Sequence, residues 1–210
     1  MPKARVWLIV AIGFVLLGAG LLSWQWYRTP LPPVAVTGTT ASYGVAQVGG
    51  SFELVDHHGQ TRRDADFRGR YLLVYFGYTF CPDVCPTTLL AMSQALRSLA
   101  ESDPDLAERV APLFITVDPE RDTVEALAAY VPNFHPDLVA LTGSAEQIAA
   151  AAKEYRVYYA KVEDDSASDY LMDHSSFIYL MGPDGAYVTH FDHFAQAAKI
   201  ADGLRRYLES

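Results

Sequence analysis

YFGYTFCPDVCPTTLLAM (residues 75–92) carries both cysteines of the chain and joins two kinds of periodicity. It continues an apolar run, Tyr71 to Tyr78, of strand length and rich in β-forming residues. It ends in a helical run that starts near Cys85. Pro86 suits the first helical position, where a backbone N–H has no partner to lose. A thiol at a helix N-terminus feels the positive end of the dipole and ionises more easily. The stretch therefore reads as a strand, a loop with two thiols at Cys81 and Cys85, and a helix.

Downstream, Leu89, Met92, Leu96 and Leu99 recur at helical spacing and are expected to face a core rather than a metal. Val110 to Val117 (VAPLFITV) is a second buried strand, stopping at Asp118-Pro119. Thr123 to Tyr130 reads as a short helix and Leu138 to Leu141 as a short strand. Ser144 with Gln147 forms a capping box opening a helix to about Glu154. Arg156 to Val162 is β-rich, and EDDSASD (163–169) is an acidic loop. Phe177 to Met181 and Ala186 to Phe191 flank Gly182-Pro183-Asp184-Gly185, a hairpin signal, before a final amphipathic helix from Ala195 to Leu208. Upstream, Phe52, Leu54 and Val55 make a short strand, and HHGQ (57–60) a turn. Strands alternating with helices imply an α/β domain with a mixed central sheet flanked by helices. In such sheets, sites gather at the carboxyl ends of strands, where the thiol loop and Asp118 both fall.

The chain begins differently. Lys3 and Arg5 precede an uncharged run from Val6 to Leu22, with Trp7 at one end and Trp24, Trp26 and Tyr27 at the other. This is an N-terminal transmembrane helix by length and aromatic belts, with its N-terminus cytoplasmic by the positive residues. SWQWYRTPLPP after Leu22 lacks a small-x-small cleavage pattern, which favours a retained anchor over a signal peptide. Residues 1–28 are thus read as the anchor, 29–48 as a Pro/Gly/Thr linker and 49–210 as the globular domain. Thirteen of the 16 Lys and Arg, and all 25 Asp and Glu, follow residue 28, a net charge of −12. Such a surface repels nucleic acid and anionic lipid.

The cysteines are spaced Cys-x-x-x-Cys, one residue wider than the thioredoxin-type redox motif. That spacing lets two sulfurs open around a metal or close to a disulfide. Two thiolates are soft and select Cu(I) or Zn. They leave a metal under-coordinated, so a third ligand is sought among the six histidines. His174, in MDHSSFIYL at the entrance to the hairpin strand, stands where thioredoxin-like folds usually carry a cis-proline beside the cysteines. Asp173 or another carboxylate suits a further Cu(II) position. A satisfied polar group at a strand end is the plainer reading of His174. His190 and His193 form H-x-x-H but do not share a strand face. His57, His58 and His135 fall in turns.

YFGYTFCPDVCPTTLLAM, FITVDPERDT (114–123), LTG (141–143), YRVYYAKV (155–162), DYLMDHSSFIYLMGPDG (169–185) and the upstream GGSFELVDHHG (49–59) resemble the Sco/SenC family of copper chaperones, in order over about residues 49–208. Ser51 departs from the proline often found there in the family. The resemblance implies a thioredoxin-like domain and a membrane anchor. It implies one Cu(I) or Cu(II) per chain on Cys81, Cys85 and His174. It also implies a role in metallating the copper A site of cytochrome c oxidase subunit II, by copper transfer, by reduction of that subunit's cysteines, or both. A copper donor protein and a thiol reductant would be further partners. The contrasting reading is a thiol–disulfide oxidoreductase or peroxidase of the same fold. Such an enzyme needs Cys81 and Cys85 but not His174, and normally has the shorter spacing and the proline. Lys3 and Arg5 place the domain in the periplasm, with the anchor in the inner membrane; the start lacks an Arg- and Ser-rich transit segment.

Carbonate extraction of membranes tests the anchor. The full chain is expected in the pellet; release of a protein shortened by about 25 residues would mean a cleaved signal peptide.

Overall fold

The computed structural model describes residues 47–162 and 170–209, together with Trp24. The expected anchor apart from Trp24, the linker up to residue 46, and the acidic loop 163–169 lie outside the described residues. Among the described residues, no helix is long and apolar enough to cross a membrane.

The domain has nine strands and five α-helices among the described residues. In chain order these are β1 (Glu53–Asp56), β2 (Thr61–Arg63), β3 (Tyr71–Gly77), α1 (Val84–Ser102), α2 (Pro104–Glu108) and β4 (Val110–Thr116). Then come α3 (Val124–Tyr130), β5 (Val139–Thr142), α4 (Ala145–Glu154), β6 (Tyr159–Val162), β7 (Leu171–His174), β8 (Phe177–Met181), β9 (Tyr187–Asp192) and α5 (Ala197–Leu208). Seven strands form one mixed sheet in the order β2-β1-β5-β4-β3-β8-β9, while β6 and β7 pair only with each other. The α/β class with a mixed sheet and flanking helices is as expected.

β3 and β4 are buried almost along their whole length because they lie at the sheet's centre with helices over its faces. They run parallel, Tyr71 opposite Val110 through Gly77 opposite Thr116, joined by the α1 crossover. β8 is antiparallel to β3, with Tyr75 opposite Ile178. That register fixes the site. The chain reaches β8 at Phe177, so residues 174–176 arrive beside the end of β3, where the thiol loop begins.

Several boundaries differ from the sequence reading. α1 begins at Val84, so Pro86 is its third residue, not its first. It still lies among the first four residues, whose N–H groups have no helical acceptor, so nothing is lost. Leu89, Met92, Leu96 and Leu99 are buried in the core. Pro132 does not end the Thr123 helix abruptly; a 3-10 turn, Val131–Asn133, continues it. Ser144 and Gln147 form the expected capping box of α4. Arg156 adopts φ 57°, just past that helix, so β6 starts at Tyr159 rather than at Arg156. Two strands have no apolar alternation to announce them: polar β2 on the sheet edge, and β7, whose Asp173-His174 end reads as loop.

Leu73 lies fully buried in the middle of β3, between β4 and β8. Leu73→Ala should lower unfolding free energy by about 3 kcal/mol, read by urea denaturation. A loss below about 1 kcal/mol would mean that the centre of the sheet is not close-packed there.

Candidate metal centre

β3 ends at Gly77 because only glycine fits. A Cβ there would stand 2.9 Å from Cys85 Sγ and 3.0 Å from both Phe114 and Tyr75. The buried sulfur of Cys85 thus packs directly on the backbone of the strand end. Four residues earlier, Cys81 is only partly buried.

The first turn of α1 needs acceptors for its N–H groups, and its N-cap residue, Asp83, makes no side-chain cap. Cys81 Sγ takes that role, accepting the Cys85 N–H at 3.4 Å. The strongest influence on Cys81 is the hydrogen bond from the Cys85 thiol, opposed next by burial. The N–H groups of Cys85 and Asp83 add to it, and together they hold Cys81 far below the ordinary thiol range. The same Cys85–Cys81 bond, then burial, pushes Cys85 far up. The pair therefore shares one proton: a thiolate at the surface and a thiol behind it.

His174, the last residue of β7, completes the group. Its Nε2 lies 3.4 Å from Cys85 Sγ, and its Nδ1 lies 3.2 Å from the Ser175 carbonyl oxygen. A carbonyl can only accept, so this contact puts the ring proton on Nδ1 and leaves the Nε2 lone pair facing the sulfur. The ring stands edge-on to Tyr75 and Tyr78, with centroids 6.2 and 5.9 Å away. Burial, foremost, pushes the Tyr78 hydroxyl up to about 12, so it stays neutral. Cys81 and His174 line an open cleft of about 400 Å³ together with Asp83 and Asp173, and the fully buried sulfur of Cys85 lies behind them. Among the described residues no trio of His, Cys, Asp and Glu is already drawn into a coordination shell. Cys81, Cys85 and His174 touch through hydrogen bonds, which a soft cation would replace once the shared proton leaves.

The other histidines lie elsewhere. His57 Nδ1 accepts the Ala140 N–H, His135 caps a turn at Asp137, and His190 hydrogen-bonds the Tyr187 hydroxyl. His193 stacks on Phe194.

Sequence reasoning noted Asp118 only as a strand end. The whole loop Asp118–Asp122 supports the site. Asp122 is completely buried and accepts the Thr79 N–H at 3.0 Å, the Thr79 hydroxyl, and the Thr116 hydroxyl at 2.6 Å. Burial pushes its carboxyl up, against those hydrogen bonds. It thereby pins the start of the thiol loop to the end of β4. DPERDT (118–123), five charged or polar residues and a proline directly after the apolar run that ends at Val117, is the available signal.

The unequal thiols can be tested by alkylation. In the reduced full-length chain at pH 6, iodoacetamide should modify Cys81 well before Cys85, read by peptide mass spectrometry. Equal labelling, or Cys85 first, would contradict the shared-proton arrangement.

A family model described as SCO1/SenC matches residues 40–209. "Protein SCO2 homolog, mitochondrial" of Bos taurus is 46% identical over 209 residues, covering 99% of this chain and 77% of the bovine one. Arabidopsis thaliana ScoI, solved with copper bound, is 39% identical with a TM-score of 0.72, over 78% of this chain and 99% of that one. Bradyrhizobium japonicum ScoI, also solved with copper bound, is 41% identical with a TM-score of 0.68, over 76% of this chain and 99% of that one. With most of its length matched by the family model and by relatives of this similarity, the chain belongs to the SCO1/SenC family.

Proposed function

We propose that this chain is a membrane-anchored chaperone that carries one copper ion on Cys81, Cys85 and His174. Its target would be the copper A site of cytochrome c oxidase subunit II. The observation that carries this reading is Nε2 of His174 set 3.4 Å from the buried sulfur of Cys85, beside an open cleft. A disulfide exchanger has no use for an imidazole nitrogen set against the buried sulfur. A copper site does: two thiolates suit Cu(I), and imidazole extends the set toward Cu(II). Two relatives of similar sequence were solved with copper bound, which supports the same cargo here.

The residues divide the work. Cys81 is ionised in advance and accessible, so it is the first donor to meet incoming copper. Cys85 then yields the shared proton and closes behind the metal. His174 contributes through Nε2, with Nδ1–H held by its carbonyl. The open cleft leaves one side of the metal free for a ligand of the donor protein or the acceptor.

One observation favours a second activity of the same pair. An exposed thiolate backed by a buried thiol is the order of attacking and resolving groups. Cys81 would attack a disulfide of the target, and Cys85 would then displace the target's remaining sulfur. The products are a Cys81–Cys85 disulfide and a target dithiol, and a separate thiol reductant would restore the pair. We place the anchor at residues 1–28, the linker at 29–48 and the domain on the periplasmic side of the inner membrane. The charge before Val6 supports this topology.

His174→Ala and Cys81→Ala separate the two readings. His174→Ala should weaken Cu(II) binding by at least about 100-fold while keeping Cu(I), which binds linearly to two thiolates. Its thiols should still form a disulfide. Cys81→Ala should lose both metal and redox activity, and oxidase assembly should fail in cells carrying either variant. Normal assembly with His174→Ala at low copper, but not with Cys81→Ala, would make thiol reduction the working function.

A further inference from the structure

His174 does not belong to the main sheet. It ends β7, which pairs only with β6; the central ladder brings it near the sulfurs through the short link to β8 but makes no hydrogen bond to the strand that carries it. Something else must hold this small hairpin against the thiol loop, and the contacts converge on Arg121.

Arg121 lies between the two parts. On the thiol side its guanidinium sits 4.8 Å from the Phe80 ring centroid and 5.8 Å from that of Tyr78, the residues that precede Cys81. On the histidine side it stacks 3.6 Å from the Tyr170 ring, and Nη1 donates to the Tyr170 carbonyl at 2.8 Å. Tyr170 directly precedes β7. Nε donates to Asp118, which is buried and also accepts the Tyr170 hydroxyl at 2.8 Å. Lys161 of β6 covers the other contact to the Tyr170 ring at 3.7 Å and pairs with Glu120 at 3.0 Å. The next residue, Asp122, holds Thr79. One short loop after β4 therefore grips both halves of the donor set.

We infer that Arg121 is a positioning residue that sets the reach of His174 to the two sulfurs by clamping Tyr170 to the thiol loop. This rests on the copper reading above. A planar guanidinium is suited to the task, because it stacks on rings while its fork makes directed hydrogen bonds at the edge. Lysine keeps the charge and loses both. The clamp acts on the imidazole and not on the sulfurs, whose place is fixed by Gly77 and the first turn of α1. Loosening it should therefore harm the metal state that depends on imidazole.

The test compares the full-length wild-type chain with Arg121→Lys, Tyr170→Leu and His174→Ala. Cu(I) is titrated against a chromophoric chelator. Cu(II) is followed by its thiolate charge-transfer band and by electron paramagnetic resonance, and the midpoint potential of the thiol pair is measured alongside. Arg121→Lys keeps a cation beside buried Asp118, and Tyr170→Leu releases the same clamp from the hairpin side. Both are expected to weaken Cu(II) about 10- to 100-fold and shift its spectrum toward that of His174→Ala. Cu(I) affinity should change less than about threefold, and the potential should stay at the wild-type value. If Arg121→Lys fails to fold by circular dichroism, Tyr170→Leu decides alone. Wild-type Cu(II) affinity and spectrum in the clamp variants, with both lost in His174→Ala, would overturn the clamp and leave the copper reading standing. An equal loss of Cu(I) and Cu(II) would also overturn it, as a general structural effect. If the wild-type chain bound no Cu(II), the copper reading would fail and the clamp with it.

Discussion

The N-terminus of α1 presents N–H groups without acceptors, and the sulfur of Cys81 accepts one of them. Much follows from that contact. A sulfur that caps a helix is most stable as an anion, and an anion draws the proton of the neighbouring thiol toward it. Cys85 can supply that proton because its sulfur is wedged on the backbone at Gly77, with no room to turn away. The end of a central strand and the start of a long helix, two rigid elements, thus hold both sulfurs. The third donor comes from outside this frame, on a two-stranded hairpin held by side chains. The candidate site thus joins a pair of sulfurs held by two rigid elements to a histidine on a separate hairpin.

Cu(I) is content with two thiolates, whereas Cu(II) calls for more ligands, including nitrogen. The distance from the histidine to the sulfurs therefore sets the relative stability of the two oxidation states. The loop Asp118–Asp122, anchored by its two buried aspartates, is where that distance is limited. Asp122 fixes the thiol side through Thr79, and Arg121 fixes the histidine side through Tyr170. Phe80, 56% exposed, lies against Arg121 and directly precedes Cys81, so a partner that docks on it would meet the clamp and the thiol loop together.

Part of this was legible in the residues. The strand–loop–helix around Cys81 and Cys85 follows from the apolar run, the two thiols and the change of period. The hairpin at Gly182–Gly185 and the capping box at Ser144 announce themselves through residues with strong local preferences. β7 did not, because its four residues alternate with no buried face and gain their order from β6 across the gap. α1 starts two residues before Pro86, because proline is tolerated throughout the first turn and does not mark its beginning. Arg121 was missed for a different reason. Its role depends on Tyr170, 49 positions away, and on Phe80, and no local pattern encodes that meeting.

X-ray absorption at the copper edge, on the reduced full-length chain loaded with one equivalent of Cu(I), is the most direct test of a site shared by Cys81, Cys85 and His174. Two sulfurs near 2.3 Å and one imidazole nitrogen near 2.0 Å are expected, at roughly the thiolate and imidazole bond lengths of other metal sites. A shell of sulfur alone, without the scattering pattern of an imidazole ring, would contradict the three-donor site.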